Sequence, residues 1–343
     1  MDHERIGLSL GTGYGCLKTM YDYYTRVAAK GPRFASSVLF PHSYANTPAS
    51  LVSIEYRIMG PTNTVCTGST SAAGAIGYAF DLLRHGRIDA MLAGGVDSLS
   101  RPLLEGLAAQ GVLSPANGGE EAARPFDARR NGYVAGEGAG ILLLERAECA
   151  RRRGADALGR LVGYGLAQAS AKAARVDPWP FGSVRGAVRH AASDRRPASD
   201  RDEQPVAHGL SEALAAAIRA ALADAELEPA DIDGVFASAN GSRELDACEA
   251  LALADVFGGP AAPVTSLKCT LGESIGASGG LSLIAALWAM RIGAMPPTRG
   301  FEHPDGEITV DVVAEPLRAD LRTCLVSCAD ASGACGALVV AAP

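Results

Sequence analysis

The chain has 343 residues, 48% of them hydrophobic, and carries a formal net charge of −7. This length and composition allow one large α/β domain or two fused halves with a sizeable core. The acidic excess is spread along the chain and no basic face accompanies it, which argues against a nucleic-acid partner.

Membrane insertion, metal binding and a cofactor are not expected either. The longest apolar stretch, 279–290, is too short to cross a bilayer, and the charged first residues do not resemble a signal peptide. The eight cysteines are scattered without CxxC spacing, which argues against a zinc site and against a disulfide framework. The sequence therefore predicts a soluble cytoplasmic protein with free thiols and no metal or cofactor.

Predicted strands and helices alternate along the chain. In the first half, strands are predicted at 6–10, 64–67, 90–94 and 140–144, and helices at 71–84 and 145–153. The second half repeats this rhythm, with strands at 161–166, 235–239, 264–266, 323–327 and 337–340, and helices at 211–223, 244–257 and 275–290. The alternation predicts an α/β fold with a largely parallel sheet, and the repeated rhythm predicts an internal duplication.

The duplication predicts two similar halves, residues 1–153 and 154–343. One irregular segment, at about 167–208, interrupts the second half and contains four prolines among scattered charges. Such an insert in a compact domain is typical of a functional loop or a mobile one, and we predict a mobile surface loop here.

Short motifs recur along the whole chain. They are STSA at 69–72, AGGVD at 93–97, RPFD at 124–127, GEGAG at 136–140, SLK at 266–268 and PPT at 296–298. Together they resemble the β-ketoacyl-acyl-carrier-protein synthases of the thiolase superfamily, over nearly the full length. The resemblance implies a thiolase-like α/β fold, in which two βαβ halves stack as five layers, αβαβα.

The family's three catalytic positions, carried over along these motifs, fall on altered residues. Ser69 stands where the family has its nucleophilic cysteine. Asn240 and Glu273 stand at the positions of the family's two histidines. The family's cysteine attacks an acyl thioester, and its histidines assist decarboxylation and stabilise an enolate.

Other family positions are either kept or changed. Lys268 keeps its position, Asp246 and Glu249 resemble the family's next acidic pair, and the resemblance implies a structural role near the site for these residues. The closing loop that gates acyl entry in active relatives has lost its phenylalanines. Its residues here are Ala329, Asp330, Ala331, Ser332 and Gly333.

These substitutions remove the chemistry that condensation needs. A serine hydroxyl is a poor nucleophile unless an adjacent base takes its proton. Asn240 can donate a hydrogen bond but cannot shuttle a proton, and an ionised Glu273 would repel a developing enolate. Losing a single oxyanion donor typically costs about 10²–10³ in rate. We therefore expect no condensation activity from the chain alone.

The resemblance extends to chain length factors, which are ketosynthase-like subunits without the nucleophile. It implies a heterodimer with an active ketosynthase, an acyl tunnel shaped by both subunits, and contact with an acyl carrier protein by way of that complex. The pathway would be type II polyketide, aryl-polyene or fatty-acid-like synthesis. The strand expected to pair across the dimer axis consists of Thr62, Asn63, Thr64 and Val65.

Two other functions remain open at this stage. One is a serine-dependent acyltransferase or esterase that uses Ser69, which is favoured by the retained hydroxyl and opposed by the lack of a positioned base. The other is a decarboxylating priming subunit, which would need at least one oxyanion histidine.

The start of the chain resembles the family's second strand, so the first half is expected to be truncated. We expect the absent first strand to leave a gap at the centre of the first sheet. The sheet could close up, a partner could cover the gap, or the start codon could be set too late.

Overall fold

A computed structural model describes residues 2–116, 118–169, 204–259 and 262–343. The strands are β1 (Ile6–Gly11), β2 (Thr62–Val65), β3 (Ala90–Asp97), β4 (Gly138–Glu145), β5 (Arg160–Gln168), β6 (Gly234–Phe236), β7 (Val264–Thr265), β8 (Ala294–Met295), β9 (Leu317–Arg318), β10 (Thr323–Ala329) and β11 (Ala334–Ala341). The α-helices are α1 (Leu17–Lys30), α2 (Thr47–Glu55), α3 (Ser71–Arg84), α4 (Arg101–Gln110), α5 (Ala147–Arg152), α6 (Gln204–Asp224), α7 (Arg243–Phe257), α8 (Lys268–Leu271) and α9 (Ser278–Ile292).

Two sheets carry the fold. The first has the order β2-β1-β3-β4, with β1, β2 and β3 parallel and β4 antiparallel to β3. The second has the order β5-β11-β10-β6-β7, with β10, β6 and β7 parallel and β11 antiparallel to both β10 and β5. Strands such as β1 and β10 are buried along nearly their whole length, which explains their near-continuous apolar sequence.

Helices α3 and α9 fill the layer between the two sheets and contact strands of both. Small residues let them approach closely: a Cβ on Gly280 of α9 would lie 2.3 Å from the carbonyl oxygen of Gly140 in β4. The helical stretch Ile275–Ile292 is 18 residues long with a mean hydropathy of 1.4, so by length and composition it could cross a membrane. It is 61% buried inside the fold, and its place between two sheets accounts for its apolar sequence.

The outer faces of the two sheets are covered differently. Helices α6 and α7 pack together, with α6 against β5 and β11 of the second sheet, while α2 packs on β1 and β2 of the first. The five layers αβαβα implied by the family resemblance are confirmed. Each sheet also lies within one of the predicted halves, although the boundary between residues 153 and 154 stays a prediction.

The prediction of an irregular insert at about 167–208 is wrong at its two ends. β5 continues to Gln168, and α6 begins at Gln204, seven residues before the predicted start of the helix at 211. Residues 170–203 lie outside the described part of the chain.

The expected gap at the centre of the first sheet is also wrong. β1 bonds directly to β3 in a continuous register from Ile6–Ala90 to Gly11–Gly95. In the second sheet, the strand that opens that half, β5, lies at the edge beside β11. The equivalent position in the first sheet is the free edge of β4, so the place expected for the family's first strand lies at an edge and not at the centre.

The outer face of β4, at this free edge, is exposed to solvent. Ile141 is 37% exposed and Leu143 is 53% exposed. The second sheet has β5 and α6 at the equivalent edge, which explains why its own outer face is covered there.

A buried carboxylate ties the first sheet to the middle layer. Asp97, the last residue of β3, accepts hydrogen bonds from the Thr12 hydroxyl (2.8 Å) and from the backbone N–H groups of Gly13 (2.6 Å), Tyr14 (3.1 Å) and Gly276 (2.7 Å). Gly276 lies in the 3-10 turn Ile275–Ala277 that precedes α9. The end of β3, the loop after β1 and the start of α9 therefore share one anion.

We predict that Asp97→Ala destabilises the fold by about 3 kcal/mol or more, because buried donors left without an acceptor cost about 1–3 kcal/mol each. The midpoint of urea unfolding measures the loss. Asp320→Ala is the matched control, since among the described residues that exposed carboxylate bonds only to Arg322 and such surface changes stay within about 0.5 kcal/mol. Equal midpoints for the two variants would contradict the assigned role of Asp97.

Candidate functional site

Ser69 lies in the 3-10 turn Gly68–Thr70, which leads directly into α3. The turn begins with Gly68 at a positive φ of 60°, a conformation that glycine adopts without strain. Ser69 is buried, with 8% of its surface exposed. Its backbone N–H donates to Asp330 Oδ2 at 2.8 Å. Within the described part of the chain, its hydroxyl makes no hydrogen bond, so no base is positioned to take its proton.

Asn240 follows β6 and is buried against the second sheet. Its Nδ2 donates to Glu273 Oε2 at 2.8 Å, and its Oδ1 accepts from the N–H of Ser242 at 3.0 Å. The structure thus joins two of the three matched positions by a direct side-chain hydrogen bond. The Ser69 turn packs against the turn Ile275–Ala277, which begins two residues after Glu273.

Both oxygens of the Glu273 carboxylate are already engaged. Oε2 accepts from Lys268 Nζ at 2.7 Å as well as from Asn240, while Oε1 accepts from the Ser278 hydroxyl at 2.7 Å and from the Ile275 N–H at 3.0 Å. Lys268 and Glu273 are 5% and 4% exposed. The carboxylate therefore holds four donors, one of them the buried ammonium of Lys268, and its hydrogen bonds tie together the residues around it.

The backbone of Glu273 is fixed by the GEGAG segment. Its N–H donates to the carbonyl of Val134 at 2.8 Å, and its carbonyl accepts from the N–H of Gly136 at 2.9 Å. Gly136 must be a glycine here, because a Cβ would lie 2.2 Å from the carbonyl oxygen of Leu271. The motif therefore holds the side chain of Glu273 over Lys268.

Asp246 and Glu249, the two residues that match the family's acidic pair, accept hydrogen bonds from groups around the same region. Asp246 accepts from the N–H groups of Phe126 and Asn240, at 2.8 Å and 2.9 Å, and burial raises the pKa of its carboxyl to about 7. Glu249 accepts from the Ser238 N–H at 2.9 Å and from the Ser327 hydroxyl. Burial raises the pKa of Glu249. All four contacts are with backbone N–H groups or with a hydroxyl around the site, and the structural role of the two residues stays a prediction.

The predicted gating loop forms a tight turn between β10 and β11. Asp330 leads it: its Oδ1 accepts from the N–H of Ser332 at 2.8 Å, and its own N–H donates to the carbonyl of Ala334 at 2.9 Å. Its other carboxylate oxygen is the acceptor for Ser69. The loop is therefore bonded to the start of α3 by its own side chain.

Sequence reasoning missed two tyrosines near these groups. Burial raises the pKa of Tyr14 and of Tyr133, and the nearby carboxylates of Asp330 and Glu273 add to the effect. Tyr14 follows the glycine turn at the carboxyl end of β1, where side chains from parallel strands meet, and this position was the available signal. Tyr133 lies between the RPFD and GEGAG motifs.

The site as a whole is negative and lacks a free cation or imidazole among the described residues. Lys268 is paired with Glu273, and no described histidine ring hydrogen-bonds to Ser69. Nor does any group of three His, Cys, Asp or Glu side chains in the described ranges come together to hold a metal ion. The side-chain donors of Lys268 and Asn240 are already bonded to the Glu273 carboxylate.

Two sheets with paired central helices between them, and a site at the first turns of those helices, define a thiolase-like fold. Residues 1–150 match the N-terminal domain of β-ketoacyl synthases, and residues 197–302 match the C-terminal domain. The chain belongs to the β-ketoacyl synthase family.

Relatives and solved structures agree with this assignment. The chain is 33% identical to 3-oxoacyl-[acyl-carrier-protein] synthase 2 of Synechocystis sp., over 93% of this chain and 70% of that protein. It is 32% identical to the tetracenomycin polyketide synthase ketoacyl synthase alpha subunit of Streptomyces glaucescens, over 92% of this chain and 69% of that protein. The ishigamide ketosynthase/chain length factor structure superposes with a TM-score of 0.84 at 27% identity, over 99% of this chain and 76% of that one.

We predict that Lys268→Met and Glu273→Gln each cost about 3–5 kcal/mol, because each leaves one buried charge without its partner. The double variant removes both charges and should cost at least about 2 kcal/mol less than the sum of the two. Urea unfolding of the four proteins gives this coupling energy directly. Additive losses would mean that the two side chains do not stabilise each other.

Proposed function

We propose that the chain is a non-condensing ketosynthase-like subunit, comparable to a chain length factor. In this proposal Ser69, Asn240 and Glu273 occupy the family's catalytic positions and perform no condensation. The observation that carries it is the state of Glu273, whose carboxylate is taken up by Lys268, Asn240, Ser278 and a backbone N–H.

The chemistry of condensation supports this reading. Carbon–carbon bond formation from a decarboxylating thioester needs a reactive nucleophile and donors aimed at the developing oxyanion. At the proposed positions the nucleophile is a hydroxyl without a bonded base, and one donor position carries a buried carboxylate. A negative group beside a developing enolate raises the barrier instead of lowering it.

The exposed edge of β2 supports a partner subunit. β2 is the outer strand of the first sheet, and the side-chain oxygens Asn63 Oδ1 and Thr64 Oγ1 are buried without a hydrogen-bond partner in the described structure. Just before β2, Ile54, Tyr56 and Met59 are 74%, 70% and 66% exposed. Large apolar side chains beside a free strand edge are typical of a surface that another protein covers.

We therefore propose an active ketosynthase as the partner, with the strand Thr62–Val65 pairing across the interface. The acyl carrier protein would reach the complex through that partner. The pathway would be polyketide or fatty-acid-like synthesis, in the cytoplasm.

The heterodimer can be tested by a proline on the free side of β2. The N–H groups of Leu8 and Thr12 bond to the carbonyls of Pro61 and Val65, so the alternation of a parallel ladder points the N–H of Thr64 away from β1. Thr64→Pro should abolish the complex while sparing the subunit, because proline removes only the outward donor. Thr64→Val is the matched control and should still form the complex.

The measurement is native mass spectrometry of the chain co-expressed with a cysteine-bearing ketosynthase from its own gene neighbourhood. We expect a one-to-one complex for the unaltered chain and for Thr64→Val. A chain that stays a stable monomer beside every such ketosynthase would refute the proposed function.

Ser69 itself can be tested for acylation. We expect no mass increase on the chain after incubation with acetyl or malonyl carrier-protein thioesters, and full product formation by a complex that contains Ser69→Ala. The reason is that no described group is bonded to the hydroxyl as a base. An acyl adduct on Ser69 would instead indicate a serine acyltransferase, and release of CO2 from the malonyl thioester would indicate a priming decarboxylase.

A further inference from the structure

We propose that the Asp330 carboxylate occupies the position at the start of α3 where the carbonyl oxygen of an acyl group on residue 69 would have to bind. The site would then be closed to acyl chemistry whatever residue stands at position 69. This inference rests on the proposed non-condensing function and adds a fourth determinant to Ser69, Asn240 and Glu273.

The first support is the contact itself. The N–H of the residue that carries an acyl group is the nearest donor for the oxyanion of a tetrahedral intermediate. In this chain that N–H, on Ser69, is bonded to Asp330 Oδ2 at 2.8 Å. The same oxygen takes the space over Gly68, where an added Cβ would lie 2.1 Å from it.

The carboxylate is also held from its other side. Asp330 Oδ1 accepts from Ser332 N–H, and the backbone of Asp330 bonds to Ala334 and Gly333. Bonds from both flanks of the loop fix the side chain in one position. An incoming carbonyl oxygen would have to break the Ser69 bond and lie against a full negative charge.

Each half of the fold places one carboxylate against the 3-10 turn that opens a central helix. At the end of β3, Asp97 accepts from Gly276, the second residue of the 3-10 turn that opens α9. Just after β10, Asp330 accepts from Ser69, the second residue of the 3-10 turn that opens α3. The turns even share a positive φ at their first residue, 60° at Gly68 and 51° at Ile275.

Asp330 therefore repeats, in the second half, the helix-capping role of Asp97 in the first. The aligned N–H groups at a helix start favour one anion. A position filled by a carboxylate of the chain itself is no longer available to the oxygen of an acyl intermediate.

The test places a thiol at the site and then removes the carboxylate. In Ser69→Cys, the neighbouring negative charge should raise the pKa of the new thiol above the ordinary value of about 8.5. In Ser69→Cys/Asp330→Asn and Ser69→Cys/Asp330→Gly, the helix start should instead favour the thiolate. Ser69→Cys/Asp320→Asn removes an equal charge at a remote, exposed position and is the matched control.

The first readout is the rate of iodoacetamide alkylation at residue 69 as a function of pH, followed by peptide mass spectrometry to separate it from the eight native cysteines. We expect both Asp330 variants to react about tenfold faster at pH 7 than Ser69→Cys and its Asp320 control. The second readout is acylation by octanoyl-N-acetylcysteamine, which should appear only when Asp330 is replaced.

Equal alkylation rates with and without Asp330, or no reaction in any variant, would overturn the inference. So would equal acylation of Ser69→Cys and its Asp330 variants. In that case the proposed function still stands if the unaltered chain forms the heterodimer and remains unacylated. Using two replacements of different size guards against a folding defect in either one.

Discussion

The structure depends on two carboxylates that cross between the sheets and the central layer. Asp97 at the end of the first sheet bonds to the turn that opens α9, and Asp330 at the end of the second bonds to the turn that opens α3. Each half therefore fixes the first turn of the other half's central helix, which makes the two halves parts of one core. The same two turns carry the candidate site. In this architecture the groups that hold the halves together and the groups that could do chemistry are neighbours, so a change to one readily alters the other.

The buried charged groups around Lys268 lie in this shared region, and they bond to other groups of the same chain. Its ammonium contacts Glu273 and the Ser238 hydroxyl, and Glu249 lies near enough for the ammonium to lower the pKa of that carboxyl against the larger effect of burial. Taking such charges out of water is costly unless every one is bonded. Here Lys268 and Glu273 are bonded within the chain, whereas Glu249 Oε2 is buried without a hydrogen-bond partner among the described residues. Under the proposed function, positions that would have been kept reactive are used for these internal bonds.

Much of the fold and of the candidate site could be predicted from the sequence, because helices, strands and motifs are encoded by residues that lie close together in the chain. The helix at 71–84 was predicted with the bounds that the structure gives it, and the motifs brought Asn240, Lys268 and Glu273 together before any contact was known. The predicted gap in the first sheet was wrong because strand order in a sheet does not follow chain order, and β1 pairs with β3. The bond from Ser69 to Asp330 joins residues 261 positions apart, and nothing in the loop's own sequence indicates that its aspartate points at a helix start.

The Lys268–Glu273 pair also bears on how readily such a chain could evolve back toward a condensing enzyme. A histidine at 273 would leave the buried ammonium without the carboxylate that it now faces, and a cysteine at 69 would still meet Asp330. Each single reversion would therefore lower stability or stay silent before any activity returned. On the proposed function, no single one of these substitutions restores the site, because the residue it introduces meets contacts that the fold now uses.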